Sequence, residues 1–83
     1  MNDADIRRAL LACLGDIAPE AELDAIDPDR PLRAQVDLDS ADWLNLLVAV
    51  HERIGVEIPD AEAPRLRTLA QLAAWCAARQ APG

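Results

Sequence analysis

The sequence has no lysine, no tyrosine, no phenylalanine and a single histidine. With no G-x-S-x-G elbow and no glycine-rich phosphate loop either, it holds few groups that could act as a general base or a phosphate cradle. A hydrolase or kinase is therefore excluded, and no catalytic residue is assigned. Cys13, His51 and Cys76 fall on separate segments, and no pair has CxxC or HxxxH spacing, so no metal site is read. Two cysteines in apolar helical patterns make no disulfide framework and read as small core residues in a reducing cytosol. His51 reads as a residue at or near a helix surface. No apolar run approaches the roughly 20 residues that cross a bilayer, and the stretch from Asn2 to Asp5 is polar. Neither membrane insertion nor secretion is indicated, and a cytoplasmic protein is expected.

What is present is a chain of 83 residues that is 52% hydrophobic and 28% charged, with 15 acidic residues against 8 basic ones, all arginine, for a net charge of −7. A chain of this size folds as one domain, residues 1–83, and buries only about 60–65% of the surface it exposes when unfolded. That leaves little room for a full catalytic pocket, so a binding or carrier module fits better than a self-sufficient enzyme. The acidic balance argues against phosphate backbones and anionic lipid and points to basic protein partners.

Helical periodicity organises the chain. Ile6, Leu10, Cys13, Leu14 and Ile17 place one apolar stripe on a helix over 3–17, closed by Gly15 and Pro19. From Pro19 to Asp39, three prolines (Pro19, Pro28, Pro31) and many acids predict a long ordered loop, anchored by Leu23, Ile26, Leu32, Val36 and Leu38. Asp39 and Ser40 carry helix-starting chemistry for a second helix over about 40–53, whose broad apolar face joins Leu44, Leu47, Val48 and His51 with Leu46, Val50 and Ile54. Gly55 suits its C-terminal cap. Val56 to Pro59 reads as an extended connector, and Asp60 to Leu66 as a helical turn or two. Thr68 with Gln71 forms a capping box for a last helix ending near Arg79, with Leu69, Leu72, Ala73, Trp75 and Cys76 on its apolar face. Ala81-Pro82-Gly83 is expected to fray. The fold class is all-α: a small four-helix bundle of three long helices plus one short, with a long first loop.

Ser40 sits where a hydroxyl at the first turn of a helix opens to solvent. There a phosphodiester would meet unpaired N–H groups and the positive end of the helix dipole. The plainer reading is that Asp39 or Ser40 simply caps the helix.

The string DLDSADWLNLLVAVHERIGVEIPD, Asp37 to Asp60, resembles the centre of the acyl carrier protein family. Asp39-Ser40 falls at the family's modified serine, Asp42 at the acid two residues on, and Glu57-Ile58-Pro59-Asp60 at its E-I-P-D turn, without a gap. The likeness continues through Ala63, Leu66, Thr68, Leu69 and Trp75 and covers nearly the whole chain. The resemblance implies that Ser40, with Asp39 beside it, carries 4′-phosphopantetheine from coenzyme A, whose thiol bears an acyl group as a thioester. A phosphopantetheinyl transferase would attach the arm, so the chain needs no base of its own. It also implies that Asp37, Asp42, Trp43, Leu44 and Asn45 meet partner enzymes. Asp24, Asp27 and Asp29 upstream would add to the field that steers the carrier to acyl-loading and acyl-processing enzymes with basic docking patches. Leu47, Val50, Ile54, Ile58, Ala63, Leu66 and Leu72, with Leu44, match positions that part to hold an acyl chain, and plain core packing is their other role.

Several positions depart from the family pattern. Asp37 replaces a glycine, Ala41 a leucine, Trp43 a small or polar residue and Asn45 a glutamate, while His51 and Arg53 enter a region that is often wholly acidic. Trp43 either packs against the loop or lies exposed as an anchor for a dedicated enzyme. The expected function is a freestanding, monomeric carrier of acyl groups for fatty acid, polyketide or related biosynthesis, since Met1 opens the first helix almost at once and nothing linker-like follows Gly83. The alternatives are an aminoacyl or peptidyl carrier, whose G-G-x-S core is not present, and an adaptor with an unmodified serine.

Overall fold

The computed structural model describes residues 2–80. Helix α1, Asp3–Ile17, starts at an Asn2 cap whose side chain accepts the Asp5 amide while Asp5 reaches back to Asn2. Asp3 and Asp5 also place negative charge at the positive end of the helix. Ile6, Leu10, Cys13 and Leu14 bury one face, and Ile17 is half-buried. Gly15 does not end this helix but lies inside it, where a Cβ would come within 3.2 Å of the Leu23 side chain. Its role is to let the next segment approach.

The long first connection holds more helix than its prolines predict. A 3₁₀ turn covers Leu23–Ala25, and Pro31, with its φ already fixed, precedes a one-turn helix α2 over Leu32–Gln35. Leu32, Val36 and Leu38 are buried, whereas Leu23 and Ile26 are half-buried. Hydrogen bonds order the rest. Gln35 accepts the Asp27 amide at 2.7 Å and donates to the Asp27 and Arg30 carbonyls. The Leu32 amide donates to the Arg67 carbonyl, the Ala70 amide to that of Pro28, and a single antiparallel bridge joins Pro31 to Thr68. The connection is thus sewn to the start of the last helix.

Helix α3, Ser40–Ile54, ends at Gly55, whose φ of 82° is the left-handed conformation that glycine adopts without a Cβ penalty. Its buried face is Leu46, Leu47, Val50 and Ile54. Two residues of the expected apolar face are a correction, Leu44 and Val48, each 56% exposed; His51 faces solvent with them, in line with its reading as a residue at the helix surface. α3 lies at the edge of a small bundle and covers a core on one side only, so the outward apolar residues find no neighbour.

After Gly55, Val56 and Ile58 alternate inward with Glu57 outward along an extended connector. The helical turn expected between Asp60 and Leu66 is a 3₁₀ turn over Ala63–Arg65. Helix α4, Leu69–Arg79, begins at the Thr68–Gln71 capping box and buries Leu69, Leu72, Ala73 and Cys76. Trp75 is half-buried, and the Arg79 guanidinium lies 3.3 Å from its ring centre.

α1 packs against both α3 and α4, and one hydrophobic cluster joins all three with the two connections. Among the described residues there is no strand, no buried charged residue and no helix long and apolar enough to cross a membrane. This is the expected small helical bundle of three long helices and one short. The short α-helix stands in the first connection, while the segment before α4 is a 3₁₀ turn. The fraying expected of residues 81–83 lies outside the described residues.

Candidate functional site

Ser40 is the first residue of α3 and is exposed. Two buried side chains, Val36 and Leu38, fix the approach to it, and the Arg33 Nε–H donates to the Leu38 carbonyl at 3.1 Å. The helix cap belongs to Asp39. Its carboxylate accepts the Asp42 amide at 2.8 Å, its carbonyl accepts the Trp43 amide at 2.9 Å, and Asp42 makes a longer 3.4 Å return contact to the Asp39 amide. Of the two readings open for Asp39-Ser40, capping therefore falls to the aspartate. Ser40 presents its hydroxyl at the positive end of α3 with no part in the cap, which suits a group esterified there.

Around this hydroxyl, Asp37 and Asp39 are exposed and Asp42 is half-buried. Asn45 is exposed on the next turn, and Leu44 and Val48 follow Ser40 at intervals of four, which lines up all three on one side of α3. Of the expected docking residues, Leu44 lies in line with the serine on α3, while Asp37 and Asn45 are exposed nearby in the chain. Val48 joins Leu44 in that line, although the periodicity assigned it to the buried face.

Trp43 realises neither expected extreme. It is half-buried and packed against the core, and it also forms a wall of a cleft of about 360 Å³ with Pro31, Arg33, Ala63, Pro64 and Arg67. The arginines and prolines of this cleft carry no signal in the sequence, because the loop bridge that gathers them is a tertiary feature. The residues matched to an acyl pocket also come together. Leu47, Val50, Ile54, Ile58, Leu66 and Leu72 are buried in one cluster, with Ala63 packed at its edge between that cluster and the cleft. Leu44 is not among them.

Cys13 and Cys76 are free thiols with no exposed surface. Burial pushes both upward from the ordinary thiol range; each lies close enough to charged or thiol neighbours (Arg53 and Asp16 for Cys13, Cys13 itself for Cys76) for these to adjust the shift.

A family model described as the phosphopantetheine attachment site matches residues 8–76. The chain is similar to an acyl carrier protein of Thermosynechococcus vestitus, at 33% identity over 83% of this chain and 84% of that protein. It is similar to an acyl carrier protein of Streptomyces coelicolor at 34% identity over 88% of this chain and 75% of that one. A third, from Renibacterium salmoninarum, is 32% identical over 78% of this chain and 75% of its own length.

Proposed function

Because the chain belongs to the acyl carrier protein family, whose prosthetic group is a covalently attached 4′-phosphopantetheine, we propose that Ser40 is the attachment residue and that the arm presents acyl thioesters to the enzymes of a biosynthetic pathway. The observation that carries this reading is the division of labour at the start of α3: Asp39 caps the helix, and the neighbouring hydroxyl stands exposed and uncommitted.

When bound, the arm supplies a thiol on a long flexible tether, to which an acyl group is joined as a thioester. In attaching the arm, the Ser40 oxygen would attack the pantetheine-bearing phosphorus of coenzyme A, forming the phosphodiester as the phosphoanhydride bond breaks and 3′-phosphoadenosine 5′-phosphate leaves. The proton of the hydroxyl passes to a base of the phosphopantetheinyl transferase, in keeping with a chain that offers none beside Ser40 except carboxylates. The chain itself is a carrier without catalytic groups. The surface beside the serine supports brief docking. Leu44 and Val48 offer an apolar stripe in line with Ser40, Asn45 and Trp43 border it, and Asp37, Asp39 and Asp42 add the negative field that draws a basic patch. Leu47, Val50, Ile54, Ile58, Ala63, Leu66 and Leu72 are proposed to part for longer acyl chains. The pathway read here is fatty acid, polyketide or related biosynthesis.

Intact mass before and after incubation with coenzyme A and a broad-specificity transferase tests the assignment. The chain is expected to gain one phosphopantetheinyl group and Ser40→Ala none. An unchanged mass with several transferases, together with an unmodified protein from its native host, would overturn it.

A further inference from the structure

The cleft beside Trp43 has a lining unlike the rest of this molecule. The chain carries 15 acidic residues, yet none of them lines this cleft, and two of its eight arginines do. Arg8, Arg53 and Arg65 each pair with a carboxylate and Arg79 rests on Trp75; the other four, Arg7, Arg30, Arg33 and Arg67, make no ion pair among the described residues, and two of them, Arg33 and Arg67, line this one cleft. Two uncompensated like charges are held near one another by the fold. The Arg67 carbonyl accepts the Leu32 amide at 2.9 Å, the adjoining Pro31 and Thr68 form a bridge, and Arg33 is tied through Nε to Leu38. The other walls, Trp43, Ala63, Pro31 and Pro64, are apolar.

We infer that this cleft receives a cargo that ends in a carboxylate: a short acyl group with a second, free carboxyl, carried on the arm of Ser40. The inference rests on Ser40 being the attachment residue. Trp43 follows Ser40 by three residues and so stands on the same side of α3 one turn on, within reach of a tether fixed at the hydroxyl. An arm of this kind is long compared with a turn of about 5.4 Å, so its free end can fold back into the cleft. The methylenes of such a group lie against the indole and the prolines, and the carboxylate takes up N–H groups of Arg33 and Arg67, whose planar geometry suits it. Asp37, Asp39 and Asp42 ring the serine outside the cleft and repel the same carboxylate, which drives it toward the arginines. The phosphodiester of the arm does not fill this role. It is fixed at the Ser40 oxygen on the acidic side, and it has no apolar body to set against Trp43.

The test uses the full chain carrying Trp75→Phe, so that Trp43 is its only indole. A transferase that accepts acylated coenzyme A loads it with the bare arm, a butyryl arm or a succinyl arm, which differs from butyryl by a carboxylate in place of the terminal methyl. Intact mass verifies each product. Acrylamide quenching of Trp43 is expected to fall on the order of twofold in the succinyl form relative to the butyryl form, as a charge-assisted contact holds the chain over the ring. Arg67→Gln and, separately, high salt are expected to remove that difference. Equal quenching in verified butyryl and succinyl forms would overturn the inference and leave the attachment standing. Full protection by the bare arm would overturn it too, because the arm itself would then occupy the cleft. A chain that gains no mass would show the failure to lie in the Ser40 reading, and the inference would fall with it.

Discussion

The Asp39 carboxylate accepts the Asp42 amide at 2.8 Å, and this bond fixes the start of α3 one residue before the hydroxyl proposed to carry the arm. Replacing an N-cap aspartate by alanine costs about 1 kcal/mol in typical hosts, because a first-turn amide loses its acceptor. Asp39→Ala is expected to lower the urea midpoint accordingly and to slow arm attachment by fraying the turn that presents Ser40. Asp39→Asn, which keeps an acceptor oxygen, is expected to retain most of the stability while weakening the field seen by a basic partner. Equilibrium unfolding and the initial rate of mass gain separate the two effects.

Ser40 itself is expected to contribute little to stability. It is exposed and takes no part in the cap, and surface substitutions of that kind usually fall within about 0.5 kcal/mol. Ser40→Ala should match the unmodified parent in thermal unfolding and yet gain no mass with coenzyme A and transferase. A marked loss of stability would mean that the hydroxyl holds the fold together after all.

Much of this was legible in the sequence where the signal is local. The spacing of Ile6, Leu10, Cys13 and Leu14, the Thr68–Gln71 box and Gly55 after Ile54 mark helix faces and ends by chemistry confined to a few residues, and the helices stand where those signals put them. The Asp39-Ser40 pair was legible as a helix start but not in its division of labour, since either side chain can cap. What escaped is tertiary. Gly15 looks like a terminator until Leu23 is seen packed against it. Leu44 and Val48 look buried because helical spacing reports apolar character without telling which residues find a neighbour. The Gln35 bonds that order the first connection, and the bridge that brings Arg33 and Arg67 to one cleft, join residues far apart in the chain and leave no pattern in it.

Gly55 is required by its backbone, not by crowding. Its φ is 82°, and nothing lies within 4 Å of where a Cβ would stand. Gly55→Ala therefore tests the left-handed cap alone, and a loss of about 1 kcal/mol is expected in equilibrium unfolding. Gly55→Asn, a residue that tolerates this conformation better, is expected to lose less.

The exposed stripe on α3 separates docking from packing. Leu44→Ser and Val48→Ser together are expected to leave the unfolding midpoint nearly unchanged, because both side chains are mostly in water already. The same pair is expected to slow the transfer of an acyl group from the loaded chain to a partner enzyme. Leu47→Ala, only three residues from Leu44 but buried, is expected to cost about 2–5 kcal/mol by opening a cavity in the core. If the Leu44 and Val48 variant transferred acyl groups at the parent rate, the stripe would have no role in docking.

The alkaline limb of stability isolates the two buried thiols. With no lysine or tyrosine in the sequence, and with arginine charged throughout, the cysteines are the only side chains expected to titrate between about pH 8.5 and pH 11. Burial pushes both thiols up in the folded chain, and the nearby Cys13 thiol adds to the shift at Cys76. Below the unfolded thiol pKa of about 8.5, both states keep their protons and the full stability is present. As the pH rises above it, the unfolded chain gives up thiol protons that the folded chain retains. The unfolded state then binds fewer protons, and stability falls, by at most about 1.4 kcal/mol per pH unit for each thiol, until the raised folded values are passed. Urea midpoints measured from pH 7 to pH 10.5 are expected to stay level and then decline above about pH 8.5. In the Cys13→Ala, Cys76→Ala double variant, less stable at every pH for its lost packing, the decline itself is expected to vanish. An equal decline in the double variant would assign it to some group other than the thiols between α1 and α4.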